Sequence, residues 1–305
     1  MITHGPYFIL FPYKKEIPST KDGLERRRMR GKSCFRFFVS LRSGILFFLA
    51  LTCGCQSSIP YKNQEVEFFK ERKIGVELRF QTSYGEQNAY YVFPRKADIK
   101  TPGQLVIVYP GVGDLALEWL DFVSHSPQED AGFLLIEYPG RGKNRGFFRI
   151  PKLEESSRGG LRALSDYLGV PPDELTRNIA FLGHSFGCGA ALQFASEMPP
   201  KKIVLIAPFK IFKQFAFRTI GPLAWFLPSW MDNCETVKKL CRLPNSPAIA
   251  IIHGSADETI PVTMGRNLAQ CAPLCITFRE IDKAGHADIL RTEQRLIMDT
   301  LLGSP

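Results

Sequence analysis

Five continuous apolar runs constrain this chain more than any other feature: Leu105-Val106-Ile107-Val108-Tyr109, Phe133-Leu134-Leu135-Ile136, Ile179-Ala180-Phe181-Leu182, Ile203-Val204-Leu205-Ile206 and Ala248-Ile249-Ala250-Ile251-Ile252. Each is strand-length and is soon followed by Gly or Pro. A strand with one wet face alternates in polarity, whereas a strand buried on both faces does not, so these runs predict a parallel sheet covered on both sides. Helical segments fit the gaps at about 114–125, 156–168, 186–197, 262–271 and 288–302. The alternation specifies an α/β fold with a doubly wound, mostly parallel sheet. Two stretches, Val76-Glu77-Leu78-Arg79-Phe80 and Ala89-Tyr90-Tyr91-Val92-Phe93, alternate instead, and predict half-buried antiparallel strands at a sheet edge. Ile276-Thr277-Phe278 is expected as the last strand. Residues 209–246 break the rhythm with Phe209, Phe212, Phe215, Phe217, Trp225, Phe226 and Trp230, and with prolines at 222, 228 and 244. An aromatic, Pro-broken insertion at this point predicts a small cap over the strand ends.

The formal charge is +9, which raises nucleic acid as a partner. Its distribution argues against that. Residues 1–54 hold ten Lys and Arg against three acidic residues, so +7 lies there and only +2 on the rest. A basic stretch, the apolar run Ile45-Leu46-Phe47-Phe48-Leu49-Ala50-Leu51-Thr52-Cys53 and a small residue before Cys55 form a targeting pattern. The run is shorter than the roughly 20 residues that a membrane span needs. Residues 1–54 are therefore expected to be a targeting segment, and residues 55–74 a tether. The ending resembles a bacterial lipoprotein signal with Cys55 as the lipidated residue and Cys53 as second choice. An uncleaved signal anchor and a misread buried segment are the alternatives. A start at Met29 would give a more usual signal length and would leave residues 1–28 untranslated. The expectation is a chain associated with a membrane through its N-terminus, in the cell envelope or otherwise outside the cytoplasm. With Cys55 lipidated, five downstream cysteines remain besides it, an odd number. Cys188 is the expected free thiol. Cys234 with Cys241 and Cys271 with Cys275 are candidate disulfides, and inert buried thiols are the alternative.

The chemistry concentrates in Gly183-His184-Ser185-Phe186-Gly187, which follows a predicted strand and precedes a predicted helix. That context makes G-x-S-x-G a nucleophile elbow. The sharp turn lifts the Ser185 hydroxyl above the sheet, and the flanking glycines let neighbouring chain approach. A serine needs a base, and the chain has five histidines. His4 lies in the targeting segment, His125 ends a surface helix, His184 should point away from the hydroxyl, and His253 ends a buried strand. His286, in Ala284-Gly285-His286-Ala287-Asp288 after the last strand, remains. Asp257, just past a buried strand, is the expected acid, with Glu258 as runner-up. Asp282 and Asp288 are too local to reach the ring well. Ser185, Asp257, His286 is a chain order known for such a triad. Backbone N–H groups of Phe186 and Val112, the latter in Tyr109-Pro110-Gly111-Val112-Gly113, are the expected oxyanion hole. Gly140-Arg141-Gly142-Lys143 fits neither phosphate-loop spacing. No Cys/His spacing suits zinc, and no cofactor is expected.

The elbow, Tyr138-Pro139-Gly140-Arg141-Gly142, His253-Gly254-Ser255-Ala256-Asp257 and Ala284-Gly285-His286 resemble the landmarks of the α/β-hydrolase superfamily over residues 75–303. Small serine esterases, acyl-protein thioesterases and the serine aminopeptidase-like branch are the most similar. The resemblance implies an α/β-hydrolase domain at 75–305 with a cap at about 209–246. It also implies acylation of Ser185 by an ester or thioester, followed by hydrolysis. One departure is Pro110-Gly111, where the family often has His-Gly. The cap aromatics favour a small-molecule or lipid-like acyl substrate. A peptidase on the same triad, or a non-catalytic binding protein on the same fold, is the rival reading. The sequence leaves the oligomeric state open.

Overall fold

Strands buried on both faces need helices on both faces, and the computed structural model is built this way. It describes residues 73–96, 101–146, 153–226 and 231–303, together with Val66 and Phe69. The described residues all belong to one unit spanning 44–305. The eight strands are β1 (Gly75–Thr82), β2 (Gly85–Val92), β3 (Gln104–Tyr109), β4 (Ala131–Ile136), β5 (Ile179–His184), β6 (Lys202–Ile206), β7 (Ala248–Gly254) and β8 (Ile276–Ile281). They form one sheet in the order β1-β2-β4-β3-β5-β6-β7-β8. The β1–β2 and β2–β4 pairs are antiparallel, and every later pair is parallel. This is the α/β, doubly wound, mostly parallel sheet that the apolar runs imply.

The helices are α1 (Leu120–Ser124), α2 (Leu153–Leu168), α3 (Pro172–Leu175), α4 (Phe186–Ala195), α5 (Phe212–Ile220), α6 (Asn233–Leu240), α7 (Val262–Ala269), α8 (Asp288–Thr292) and α9 (Gln294–Leu302). Short 3-10 turns precede α1 at Ala116–Trp119 and follow α5 at Gly221–Phe226. The pleat divides each central strand between two cores. Leu105, Ile107, Phe181 and Leu205 pack on one side with α2, α4, α5 and α6. Val106, Val108, Leu182 and Val204 pack on the other with α1 and α9.

Three differences from expectation have physical causes. The second half of β2 is fully buried rather than half-buried, because β2 lies between β1 and β4 and is not the edge. The helix expected over 288–302 breaks at Glu293 into α8 and α9. At about 100° per residue, Ile289 and Met298 would face opposite sides of one straight helix; the break lets both bury against the sheet. The cysteines pair across elements, Cys234 with Cys271 and Cys241 with Cys275, and not within each local pair. Cys234 and Cys241 lie seven residues apart along and just past α6, which separates their Cα atoms by about 10 Å, beyond disulfide reach. Both meet instead the chain that follows α7. Cys188 is free and buried.

Residues 1–54, with Cys53 and Cys55, lie outside the described residues, as does Trp230. Among the described residues no helix is long and apolar enough to cross a membrane. Within the expected tether, Val66 and Phe69 are buried, and Phe69 meets Tyr90 edge-on.

Candidate active site

The elbow is tightly packed. Ser185 sits between the end of β5 and the start of α4 with φ 56° and ψ −120°. That left-handed conformation is costly for a residue with a Cβ. It is held by the Ser185 N–H donating to the Ile206 carbonyl at 2.8 Å, and by Cys188 N–H donating back to the Ser185 carbonyl at 3.1 Å. Space dictates the flanking glycines. A Cβ on Gly183 would come within 2.8 Å of the Cys188 backbone, and one on Gly187 would overlap the carbonyls of Tyr109 and Pro110. Helix α4 can therefore lie directly on β3 and β5.

The structure brings together Ser185, His286 and Asp257 from three separate loops. Ser185 Oγ is 2.9 Å from His286 Nε2, and His286 Nδ1 is 2.7 Å from Asp257 Oδ2. A carboxylate only accepts, so Nδ1 carries a proton and Nε2 is left to accept from the serine hydroxyl. The Asp257 side chain has no exposed surface. Its Oδ1 accepts from Thr259 N–H and Ile260 N–H at 2.9 and 2.8 Å. Burial pushes the Asp257 carboxyl up. Hydrogen bonds from His253 and His286, the His286 charge and the Ile260 N–H outweigh it and hold the carboxyl well below the usual range. Glu258 is exposed, since it points out of the turn that aims Asp257 inward.

Two histidines set aside on sequence grounds support this cluster. His253 is fully buried at the end of β7; its Nε2 donates to the Ile260 carbonyl at 2.8 Å and lies 3.3 Å from Asp257 Oδ2. His184 points under His286, with ring centroids 4.9 Å apart, and its Nε2 donates to the His286 carbonyl at 3.0 Å. Its Nδ1 is 3.7 Å from Asp114 Oδ2. That carboxylate also accepts from the Gly111 N–H at 3.2 Å. Burial raises the Asp114 pKa, but the hydrogen bond and charge of His184, with Gly111 and Trp119, hold it below its ordinary value. The elbow residue His184 thus links the Pro110–Asp114 loop to the His286 loop. No sequence signal marks this, because Asp114, His184 and His286 meet only in space.

Val112 lies half-buried in the turn closed by Asp114 N–H donating to the Gly111 carbonyl. Tyr138 Oη donates to the Pro110 carbonyl at 2.8 Å and fixes that loop from β4's end. Phe186 is the first residue of α4. Its ring meets Tyr138 and Phe212 edge-on. Phe212 in turn meets Phe209, so the inner side of the segment between β6 and β7 packs on the residue next to Ser185. Among the described residues no group of three His, Cys, Asp or Glu side chains is placed to hold a metal ion.

No family model matches the chain. It is 26% identical over 153 residues to alpha/beta hydrolase domain-containing protein 17C of Xenopus tropicalis, a match covering 50% of this chain and 46% of that protein. The chain therefore spans about half the length of the curated relatives it matches. Among solved structures it is similar to the Pyrococcus furiosus esterase Pf2001, with a TM-score of 0.56, 15% identity, and coverage of 80% of this chain and 96% of that one. It is also similar to the Pyrococcus horikoshii acylaminoacyl peptidase, with a TM-score of 0.55, 13% identity, and coverage of 76% of this chain and 41% of that one. The two solved structures share the architecture of the sheet and flanking helices described above, and by that architecture the chain has the α/β-hydrolase fold.

Proposed function

We propose that the chain is a membrane-associated serine hydrolase that cleaves carboxylic esters or thioesters through Ser185, His286 and Asp257. The observation that carries this reading is the unbroken relay from Ser185 Oγ to His286 Nε2 and from His286 Nδ1 to Asp257 Oδ2. In the proposed cycle, Ser185 Oγ attacks the substrate carbonyl while His286 Nε2 takes its proton. The ionised Asp257 stabilises the resulting imidazolium and keeps the ring in the productive tautomer. The N–H groups of Phe186 and Val112 receive the developing oxyanion, each contributing about 3 kcal/mol of transition-state stabilisation. The imidazolium returns its proton to the departing alcohol or thiol, which leaves Ser185 acylated. Water, activated by the same imidazole, then releases the acid.

The buried Phe186, Phe209 and Phe212 favour an apolar acyl group in this reading. The engagement of nearby carboxylates disfavours a peptidase, which needs an anchor for an amine. Glu137 accepts from the Ala116 N–H, Glu118 accepts from the Leu115 N–H, and Asp121 is exposed beside His125. The two disulfides support folding in an oxidising compartment, in keeping with a lipid or signal anchor near Cys55.

A fluorophosphonate probe tests the chemistry. The wild type is labelled and Ser185→Ala is not; equal labelling of both, or none of the folded wild type, overturns the reading. Nitrophenyl esters of increasing chain length, run beside aminoacyl anilides, separate esterase from peptidase. Intact mass of the purified chain reads the Cys55 modification.

A further inference from the structure

Among the described residues between β6 and β7, one side is apolar and buried, and the other exposes large apolar side chains among polar ones. On α5, Phe212, Ala216 and Ile220 recur at intervals of four and are buried, which satisfies one helical face. Its other side carries the polar Gln214 and Arg218, as a surface helix should, but not these alone. Here Phe217 is 41% exposed, and the turn that follows adds Leu223 at 53%, Trp225 at 73% and Phe226 at 87%. These four are among only seven exposed large apolar side chains in the described residues. They lie within ten residues of one another, on the element whose inner side packs against Phe186. Residues 209–231 also carry Lys210, Lys213 and Arg218, and no acidic residue.

Trp and Phe beside Lys and Arg, without acid, form the composition that seats at a membrane interface. The rings enter the boundary between headgroups and acyl chains, and the cations meet anionic headgroups. We propose that the outer face of this cap, formed by Phe217, Leu223, Trp225 and Phe226, docks onto an anionic lipid surface. This contact is separate from any attachment through the N-terminus and does not depend on the chemistry of Ser185. It would press the elbow side of the molecule toward the bilayer, where an acyl substrate resides.

The full chain carries three tryptophans, and Trp119 is buried. In a Trp230→Phe variant, Trp225 is therefore the exposed reporter. Vesicles of phosphatidylcholine and phosphatidylglycerol with brominated acyl chains should quench its emission, whatever holds the N-terminus. The quenching should disappear in Trp225→Phe/Trp230→Phe, which keeps the apolar face but removes the reporter. Phe226→Glu in the Trp230→Phe background should also abolish it. Lys213→Gln and Arg218→Gln should each weaken docking, read as the quenched fraction, about fivefold. Circular dichroism confirms that each variant folds. Equal quenching with and without Trp225 overturns the proposal. So does an unquenched Trp225 in a chain that Phe226→Glu converts from dimer to monomer, since the face would then bind a second copy.

Discussion

Asp257 holds two histidines, one on each side of its role. His286 lies 2.7 Å from Oδ2 and reaches Ser185, while His253 lies 3.3 Å from the same oxygen and anchors to Ile260. Asp257→Asn should lower kcat by about 10⁴ with little change in KM, because the amide would favour the wrong imidazole tautomer; steady-state kinetics on a nitrophenyl ester reads this. His253→Ala should lower stability by about 1–3 kcal/mol, since it strands the buried Ile260 carbonyl. His253→Gln keeps a donor near the position of Nε2 and should recover part of that loss in denaturant titration; equal losses in the two variants would mean that packing, not the hydrogen bond, matters there. At this scale the triad candidates were legible. Elimination among five histidines led to His286, and position after a buried strand led to Asp257. The supporting residues His253, His184 and Asp114 were not legible, because a side chain's partner across a fold leaves no local pattern.

At the scale of elements, the elbow depends on contact between α4 and β3. Gly187→Ala should destabilise by more than about 3 kcal/mol, because the added methyl meets two backbone carbonyls that cannot move aside. Loss of soluble protein or a lowered Tm reports this, and a neutral Gly187→Ala would contradict the packing described. The disulfides tie α6 to the chain after α7 at two points. Replacing Cys241 and Cys275 together by Ser should cost about 2–4 kcal/mol, and reductant should shift the wild-type Tm downward but not that of a chain lacking both bridges. The candidate cysteines were legible, but their pairing was not. Helix pitch separates Cys234 from Cys241, and only the docking of α6 beside α7 supplies the true partners. The break at Glu293 has the same origin, since each half-helix answers to the sheet beneath it.

At the scale of the whole molecule, two carboxylates, the buried Asp257 and the half-buried Asp114, link stability to pH. Asp257 and Asp114 are both held below their ordinary pKa in the folded chain. Groups depressed by folding contribute stability that is present above their unfolded pKa of about 4 and is lost as pH falls through the folded values. Denaturant titrations should therefore show stability falling steadily below about pH 4. The fall should be shallower in Asp114→Asn, whose remaining slope isolates the other acids; an unchanged slope would remove Asp114 from this account.

By itself the sequence determined the sheet. Apolar runs of strand length, each soon followed by Gly or Pro and separated by helical segments, fit strands covered on both faces, and a Gly-flanked serine between such a strand and a helix has few geometries open to it. Tertiary structure alone decided which histidines share Asp257, which cysteines join, where the last helix breaks and which cap aromatics face outward. Those outcomes depend on distances between segments far apart in the chain. Local pattern encodes what must be buried, but not what it is buried against.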